Sequence, residues 1–153
     1  MGRPLLQYLI DRLKKVESAD EIVIATTTEK EDQEIVTFCQ TERVPLFRGS
    51  SEDVLERFYL AAKAFKADVV VRITADCPLI DPKITEHVIQ YYLKNYPKYD
   101  YVSNSHVRSF PIGMDTEVFS FKALEEAAMH GTLKEEREHV TPYIYRRPNQ
   151  YAS

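Results

Sequence analysis

The fold is predicted most directly by residues 69–80, which read Val69-Val70-Val71-Arg72-Ile73-Thr74-Ala75-Asp76-Cys77-Pro78-Leu79-Ile80. An uninterrupted β-branched run is typical of a strand buried on both faces, as in the middle of a parallel sheet. The run ends in Thr-Ala-Asp, which places Asp76 at the carboxyl end of the strand. Ligands of open α/β sheets bind in the crevice outside the strand ends. An aspartate there can hold a divalent cation against the phosphates of a nucleotide.

Outward from this strand, helices and strands alternate along the chain. Apolar periodicity and cap signals predict helices at 4–17, 28–42, 53–66, 81–95, 122–130 and 135–146, and strands at 21–26, 44–47, 68–74, 99–104 and 116–121. This order indicates an α/β fold with a mostly parallel sheet and right-handed crossovers. We predict one domain, 1–153. The sequence opens on a helix, without the first strand on which such sheets usually build.

The composition narrows the class of protein. The 153 residues carry a net charge of −4, which argues against a broad basic surface for nucleic acid. Two cysteines make no disulfide framework and suit a reducing compartment, and the sequence shows neither a signal peptide nor an apolar run of membrane-spanning length. We therefore expect a cytoplasmic protein with no membrane or nucleic-acid partner.

Six segments, in their order and spacing, resemble the cytidylyltransferase family of acylneuraminate and 3-deoxy-manno-octulosonate activation, and within it the spore-coat polysaccharide branch. They are 2–6 (Gly-Arg-Pro-Leu-Leu), 22–26 (Ile-Val-Ile-Ala-Thr), 48–57 (Arg-Gly-Ser-Ser-Glu-Asp-Val-Leu-Glu-Arg), 72–80, 113–119 (Gly-Met-Asp-Thr-Glu-Val-Phe) and 137–143 (Arg-Glu-His-Val-Thr-Pro-Tyr). The resemblance covers essentially the whole chain.

The resemblance implies a three-layer α/β/α, Rossmann-like nucleotide-diphospho-sugar transferase fold. It implies an enzyme that joins CTP to a sugar, releases pyrophosphate and uses Mg²⁺. The family begins with a strand and a triphosphate-wrapping loop that are missing before the Gly-Arg-Pro-Leu segment. We therefore expect a core fragment with weak or no transferase activity by itself. The alternative is a binding or assembly module that keeps the fold without the catalysis.

The candidate catalytic and metal-binding residue is Asp76, which the resemblance makes a magnesium ligand; a capped turn is the alternative. Asp115 and Glu117 flank Thr116 at the start of a predicted strand, and residues two apart on a strand share a face. They can bind sugar hydroxyls or complete the metal site. The alternatives are a turn aspartate and a solvated strand glutamate.

A second group of candidates surrounds a loop-to-helix junction. The resemblance suggests nucleotide contacts for Arg48, Ser50, Asp53 and Arg57, because a helix N-terminus favours anions. A simple helix cap with an ion pair between Asp53 and Arg57 is the alternative. Thr26, at the end of a predicted strand, is a candidate contact for the base.

Three further features leave alternatives open. The resemblance places His139 near the sugar, and packing of a helix histidine against the sheet is the alternative. Arg72 lies within a buried strand and needs a partner, either a carboxylate or a phosphate, unless its strand is at an edge. Eight tyrosines between residues 91 and 151 suggest a homodimer interface or sheet-edge packing.

Overall fold

The computed structural model describes residues 2–106 and 110–153, and its elements alternate much as predicted. The helices are α1 Leu5–Leu13, α2 Gln33–Glu42, α3 Val54–Ala64, α4 Pro82–Asn95, α5 Phe121–His130, α6 Lys134–His139 and α7 Pro142–Tyr145, with a 3-10 helix at Lys30–Asp32. The strands are β1 Ile24–Thr27, β2 Leu46–Gly49, β3 Val69–Arg72, β4 Tyr101–Ser103 and β5 Glu117–Ser120. The segment between the predicted strands at 99–104 and 116–121 includes residues 107–109, which lie outside the described residues.

The described residues form two compact units. Of the described residues, the first unit comprises 2–22, 69–106, 110–119 and 152–153, and the second comprises 23–68 and 120–151. The prediction of a single domain stays a prediction. No helix among the described residues is both long enough and apolar enough to cross a membrane.

The first unit is built on a three-stranded sheet in the order β3-β5-β4. β4 and β5 are antiparallel, with Val102 opposite Val118, so the pairing is not parallel throughout. Its core consists of buried residues of α4 and β5 together with one residue after α1, and Val69, Val71 and Val102 pack against it. The buried residues are Val88, Ile89 and Tyr92 of α4, Val118 of β5, and Val16. All four residues of β3 are half-buried, and β3 is the end strand of the described sheet. The prediction of a strand buried on both faces in the middle of a sheet is therefore wrong, although Val69 and Val71 do pack against the core.

The second unit contains the parallel pair β1 and β2, in which Thr26 lies opposite Arg48 and Thr27 opposite Gly49. The predicted end of β2 at residue 47 is therefore wrong, because Arg48 and Gly49 also pair with β1. The predicted start of β2 at residue 44 is also wrong. Pro45 has no amide to donate, and the amide of Val44 donates instead to the carbonyl of Cys39. Helices α5 and α6 pack on α3.

Three predicted helix boundaries are wrong. Thr28 is not a cap, because the chain passes through a 3-10 helix and Asp32 precedes α2. The helix predicted at 135–146 is broken at Val140, whose φ of 72° is outside the helical region. The helix predicted to reach residue 17 ends at Leu13, after which the turn tightens.

The tyrosines divide into two groups. Tyr92, Tyr101, Tyr143 and Tyr151 are buried within this chain, whereas Tyr91 and Tyr96 are exposed. Much of the tyrosine cluster therefore serves the core, and the homodimer stays a prediction.

Candidate functional site

Asp76 is an exposed carboxylate held by the turn that follows β3. The Cys77 thiol donates to Oδ1 of Asp76 at 3.5 Å, and Thr74 Oγ1 lies 3.1 Å from Cys77 Sγ. Hydrogen bonds from Thr74 and then from Cys77, together with the charge of Arg72, lower the pKa of Asp76 below its ordinary value. Asp76 is therefore ionised at neutral pH and available to a cation.

Asp115 lies in the same unit and acts on the same thiol. Gly113, whose φ is +92°, turns the chain just before it, and a Cβ added at Gly113 would lie 4.0 Å from Cys77 Sγ. Burial above all, and also the negative charges of Asp76 and Asp115, raise the pKa of Cys77. Asp76 contacts Cys77 directly, and the charge of Asp115 adds to the shift in the pKa of this buried thiol.

Glu117 is buried, and both of its oxygens accept hydrogen bonds from protein groups. Arg72 Nη1 lies 2.5 Å from Oε2, and the Tyr101 hydroxyl donates to Oε1 at 2.7 Å. The sequence predicted either a carboxylate or a phosphate as the partner of Arg72, and in the structure Arg72 pairs with the carboxylate of Glu117. These contacts favour a structural role for Glu117 over contact with a sugar, which stays a prediction.

At the carboxyl ends of β1 and β2, Asp32 organises a second polar cluster that sequence reasoning missed. Its Oδ2 accepts from Thr26 Oγ1 at 2.6 Å, from the Thr27 amide at 2.8 Å and from Thr27 Oγ1 at 2.5 Å. These bonds lower the pKa of Asp32. The one signal in the sequence was an acidic residue a few positions after a strand that ends in threonines.

Arg48 and Arg57 complete this second cluster. Arg48 donates from Nε to the Thr27 carbonyl at 2.8 Å and from Nη2 to the Glu29 carbonyl at 2.9 Å. Arg57 Nη1 donates to the Ser50 carbonyl at 2.6 Å. Arg57 Nε is buried and has no hydrogen-bond partner among the described residues, and burial lowers the pKa of Arg57. A buried donor in this state is destabilising unless a ligand or water supplies an acceptor.

Asp53 is engaged elsewhere in the second unit. It caps α3 by accepting from the Glu56 amide at 2.9 Å, and Arg137 binds both of its oxygens. The alternative ion pair between Asp53 and Arg57 is therefore wrong, because Asp53 pairs with Arg137 of α6. The predicted contact of Asp53 with a nucleotide stays a prediction, and the contribution of Arg137 was missed.

His139 ends α6 and is exposed. It makes none of the hydrogen bonds that join Thr26, Arg48, Ser50 and Arg57 in the described part of the chain. The alternative of packing against the sheet is not supported for an exposed side chain, and its contact with a sugar stays a prediction.

The candidate residues thus form two clusters, one in each unit. In the first unit, Asp76 and Asp115 offer anionic oxygens, which are the ligands that hard cations prefer. In the second unit, Thr26, Arg48, Ser50 and Arg57 lie at the carboxyl ends of parallel strands, where nucleotides bind in such sheets.

Comparisons with known proteins identify the family. The family model described as cytidylyltransferase matches residues 1–153. An uncharacterized protein of Methanocaldococcus jannaschii is 46% identical over 149 residues, which are 97% of this chain and 59% of that protein. The spore coat polysaccharide biosynthesis protein SpsF of Bacillus subtilis is 32% identical over 152 residues, 96% of this chain and 61% of that protein.

A solved structure agrees with these relatives. The structure of a cytidylyltransferase from Leptospira borgpetersenii is 33% identical in sequence and superposes with a TM-score of 0.92. The match covers 99% of this chain and 63% of the Leptospira chain. The predicted α/β, Rossmann-like nucleotidyltransferase fold is confirmed. The chain spans about three-fifths of the length of the relatives it matches. From residue 1 to residue 153, the chain belongs to the cytidylyltransferase family.

Proposed function

We propose that this chain is the core of an enzyme that transfers CMP from CTP to a sugar, for the synthesis of a surface or spore-coat polysaccharide. The match of the whole chain to the cytidylyltransferase family carries this proposal. In the reaction, a sugar hydroxyl oxygen forms a bond to the α-phosphorus of CTP. The bond from that phosphorus to the bridging oxygen breaks, pyrophosphate leaves, and the hydroxyl proton passes to water.

The residues around Asp76 fit a Mg²⁺ ion. No group of three or more His, Cys, Asp or Glu side chains in the described residues could hold a metal by itself. Mg²⁺ commonly needs only one or two protein carboxylates, because water and substrate phosphates fill its other positions. Asp76, ionised and exposed, would be one ligand, and Asp115 would be a second. When bound, Mg²⁺ would neutralise charge on the triphosphate.

The chain's own side chains have complementary tasks in this proposal. Asp115, if it is not a ligand, would accept a hydrogen bond from the sugar and orient its hydroxyl. The cluster of Thr26, Arg48, Ser50 and Arg57 would bind the base or ribose. The buried, unpartnered Nε of Arg57 supports this assignment, since an acceptor on the nucleotide would satisfy it.

Pyrophosphate release tests the proposed reaction. The chain is incubated with Mg²⁺, one of CTP, UTP or GTP, and either 3-deoxy-manno-octulosonate or N-acetylneuraminate as the probe sugar. Because we expect the chain by itself to have weak transferase activity, release is followed over long incubations. We expect it to be slow, and faster with CTP than with UTP or GTP. Arg57→Lys keeps the charge but loses Nε and the fork geometry, so we expect it to raise the KM for CTP. Exposed Arg43→Lys is the matched control.

A second candidate function is CTP binding or assembly without catalysis. The observation in its favour is that the four glycines of the sequence are isolated at 2, 49, 113 and 131, so the sequence has no glycine-rich loop to cradle phosphates. Binding of CTP without release of pyrophosphate from either sugar would favour this second function over the first.

A further inference from the structure

A cavity of about 380 Å³ lies in the first unit, between one face of α4 and the strand β4. None of its lining residues belongs to the two candidate clusters. The lining residues are Lys83, Ile84, His87, Val88, Tyr91, Val102, Ser103, Asn104 and Phe110. Its volume is in the range of small-molecule sites, which begin at roughly 300 Å³.

The charge of the cavity is opposite to that of the chain. The chain as a whole carries a net charge of −4, yet none of the described lining residues is acidic, and they include Lys83 and His87. These two residues are four positions apart on α4, so their side chains are neighbours on one face of the helix. Within the described residues, neither side chain has an ion-pair partner. The rim therefore attracts an anion.

The remaining lining is apolar and aromatic. Ile84, Val88 and Val102 form an aliphatic wall, and the rings of Tyr91 and Phe110 are 46% and 40% exposed. A ligand body that covered these rings would remove apolar surface from water. A cavity that has both a cationic rim and an apolar wall suits a ligand that is an amphiphilic organic anion.

The polar side chains at the end of β4 and just after it are already hydrogen-bonded within the chain. Asn104 Nδ2 donates to the Met114 carbonyl at 2.8 Å, and Asn104 Oδ1 accepts from the Thr116 amide at 2.8 Å. Ser103 Oγ lies 2.7 Å from Ser105 Oγ. These bonds hold the strand side of the cavity in place and leave Lys83 and His87 as the groups that select the ligand.

We propose that this cavity binds a small organic carboxylate with an aromatic or short aliphatic body. The carboxylate pairs with Lys83 and His87, and the body packs on Val88, Val102 and Phe110. This site is separate from the proposed transferase chemistry, so its test does not depend on activity.

The test uses 4-phenylbutyrate as the probe and its neutral analogue 4-phenylbutyramide, titrated into the full chain and followed by two-dimensional ¹H–¹⁵N NMR. We expect saturable shifts of the backbone signals of residues 83–91 and 102–104, with weaker binding of the amide. Lys83→Gln should weaken binding of the acid about three- to fivefold, as removal of one exposed ion pair does. Lys94→Gln, on the same helix but outside the cavity, should leave binding unchanged.

Equal affinities for the acid and the amide would overturn the proposal, as would unchanged binding of the acid by Lys83→Gln or shifts confined to residues outside the cavity. A second variant, Val102→Phe, fills the cavity and should abolish the shifts. Its own spectrum shows whether it is folded, and a folded Val102→Phe that still binds the acid would equally contradict the assignment.

Discussion

Arg137 binds Asp53 side-on, with Nε 3.0 and 2.9 Å from the two carboxylate oxygens and Nη2 2.5 Å from Oδ2. The same guanidinium donates to the carbonyls of Ala128 and Gly131 at the end of α5. Since Asp53 also caps α3, this one ion pair ties α3, α5 and α6 together within the second unit.

Loss of this ion pair should destabilise the second unit. Asp53→Ala removes the cap and leaves the half-buried Arg137 without its carboxylate, so we expect the free energy of unfolding to fall by about 2–3 kcal/mol. Urea denaturation measures the change. Arg146→Ala, which breaks the exposed pair with Glu135, is the matched control and should cost at most about 1 kcal/mol. If the two variants lost the same free energy of unfolding, the Asp53–Arg137 pair would not hold the three helices together as described.

The hydrogen bonds to Asp32 should make stability depend on pH. The pKa of Asp32 is lowered in the folded chain, so its stabilising effect is fully present above the ordinary value of 3.8 and is lost as pH falls through the folded pKa. Asp32→Asn should therefore lower the free energy of unfolding by about 1 kcal/mol at pH 7 and have almost no effect near pH 2.

Urea denaturation at several pH values checks the pH dependence, with the exposed neighbour Glu31→Gln as control. A cost of Asp32→Asn that stayed the same at every pH would show that the carboxylate charge is not responsible.

Removal of one partner from the buried pair of Arg72 and Glu117 should greatly lower the free energy of unfolding. Their side chains are only 17% and 10% exposed, so Glu117→Ala should cost about 3–5 kcal/mol by leaving the arginine charge without this carboxylate. Tyr101→Phe removes one hydrogen bond to the same carboxylate and should cost about 1 kcal/mol. Thermal and urea denaturation of both variants test this order, and the reverse order would refute the structural role of Glu117.

The end of α3 offers a stabilising substitution. Lys66 has a φ of 53°, and the amides of Lys66 and Ala67 donate to the carbonyls of Lys63 and Ala62, which is the Schellman arrangement usually ended by glycine. Lys66→Gly should raise the free energy of unfolding by about 0.5–1 kcal/mol. Lys63→Gly, within the helix, should lower it by about 1 kcal/mol. The prediction fails if both substitutions destabilise the chain.

Local sequence patterns were sufficient for the alternation of elements and for the existence of a strand before Asp76, but not for its burial, which is only partial. They were insufficient where a distant partner decides the outcome. β2 is displaced toward its carboxyl end because Arg48 and Gly49 pair with β1. Asp53 pairs with Arg137, 84 positions away, rather than with Arg57 one turn away. No period or spacing in the sequence encodes such contacts.

In the candidate site, too, local sequence patterns predicted some features, whereas contacts with distant residues decided others. The position of Asp76 follows from the strand that precedes it, and the lowered pKa agrees with a metal-binding role. The burial of Glu117 was not predictable, because Arg72 and Tyr101 approach it from other strands. Asp32 was missed because its role comes from the threonines of β1 rather than from a recognisable motif.

The central claim is that Asp76 holds Mg²⁺ against CTP, and the Mg²⁺ dependence of CTP binding tests it most directly. Calorimetry compares the affinity of the chain for CTP in Mg²⁺ and in EDTA. We expect Mg²⁺ to tighten binding by the original chain and by the exposed control Asp20→Asn, and to have no effect on Asp76→Asn. Mg²⁺ that tightened CTP binding equally in Asp76→Asn would contradict the account.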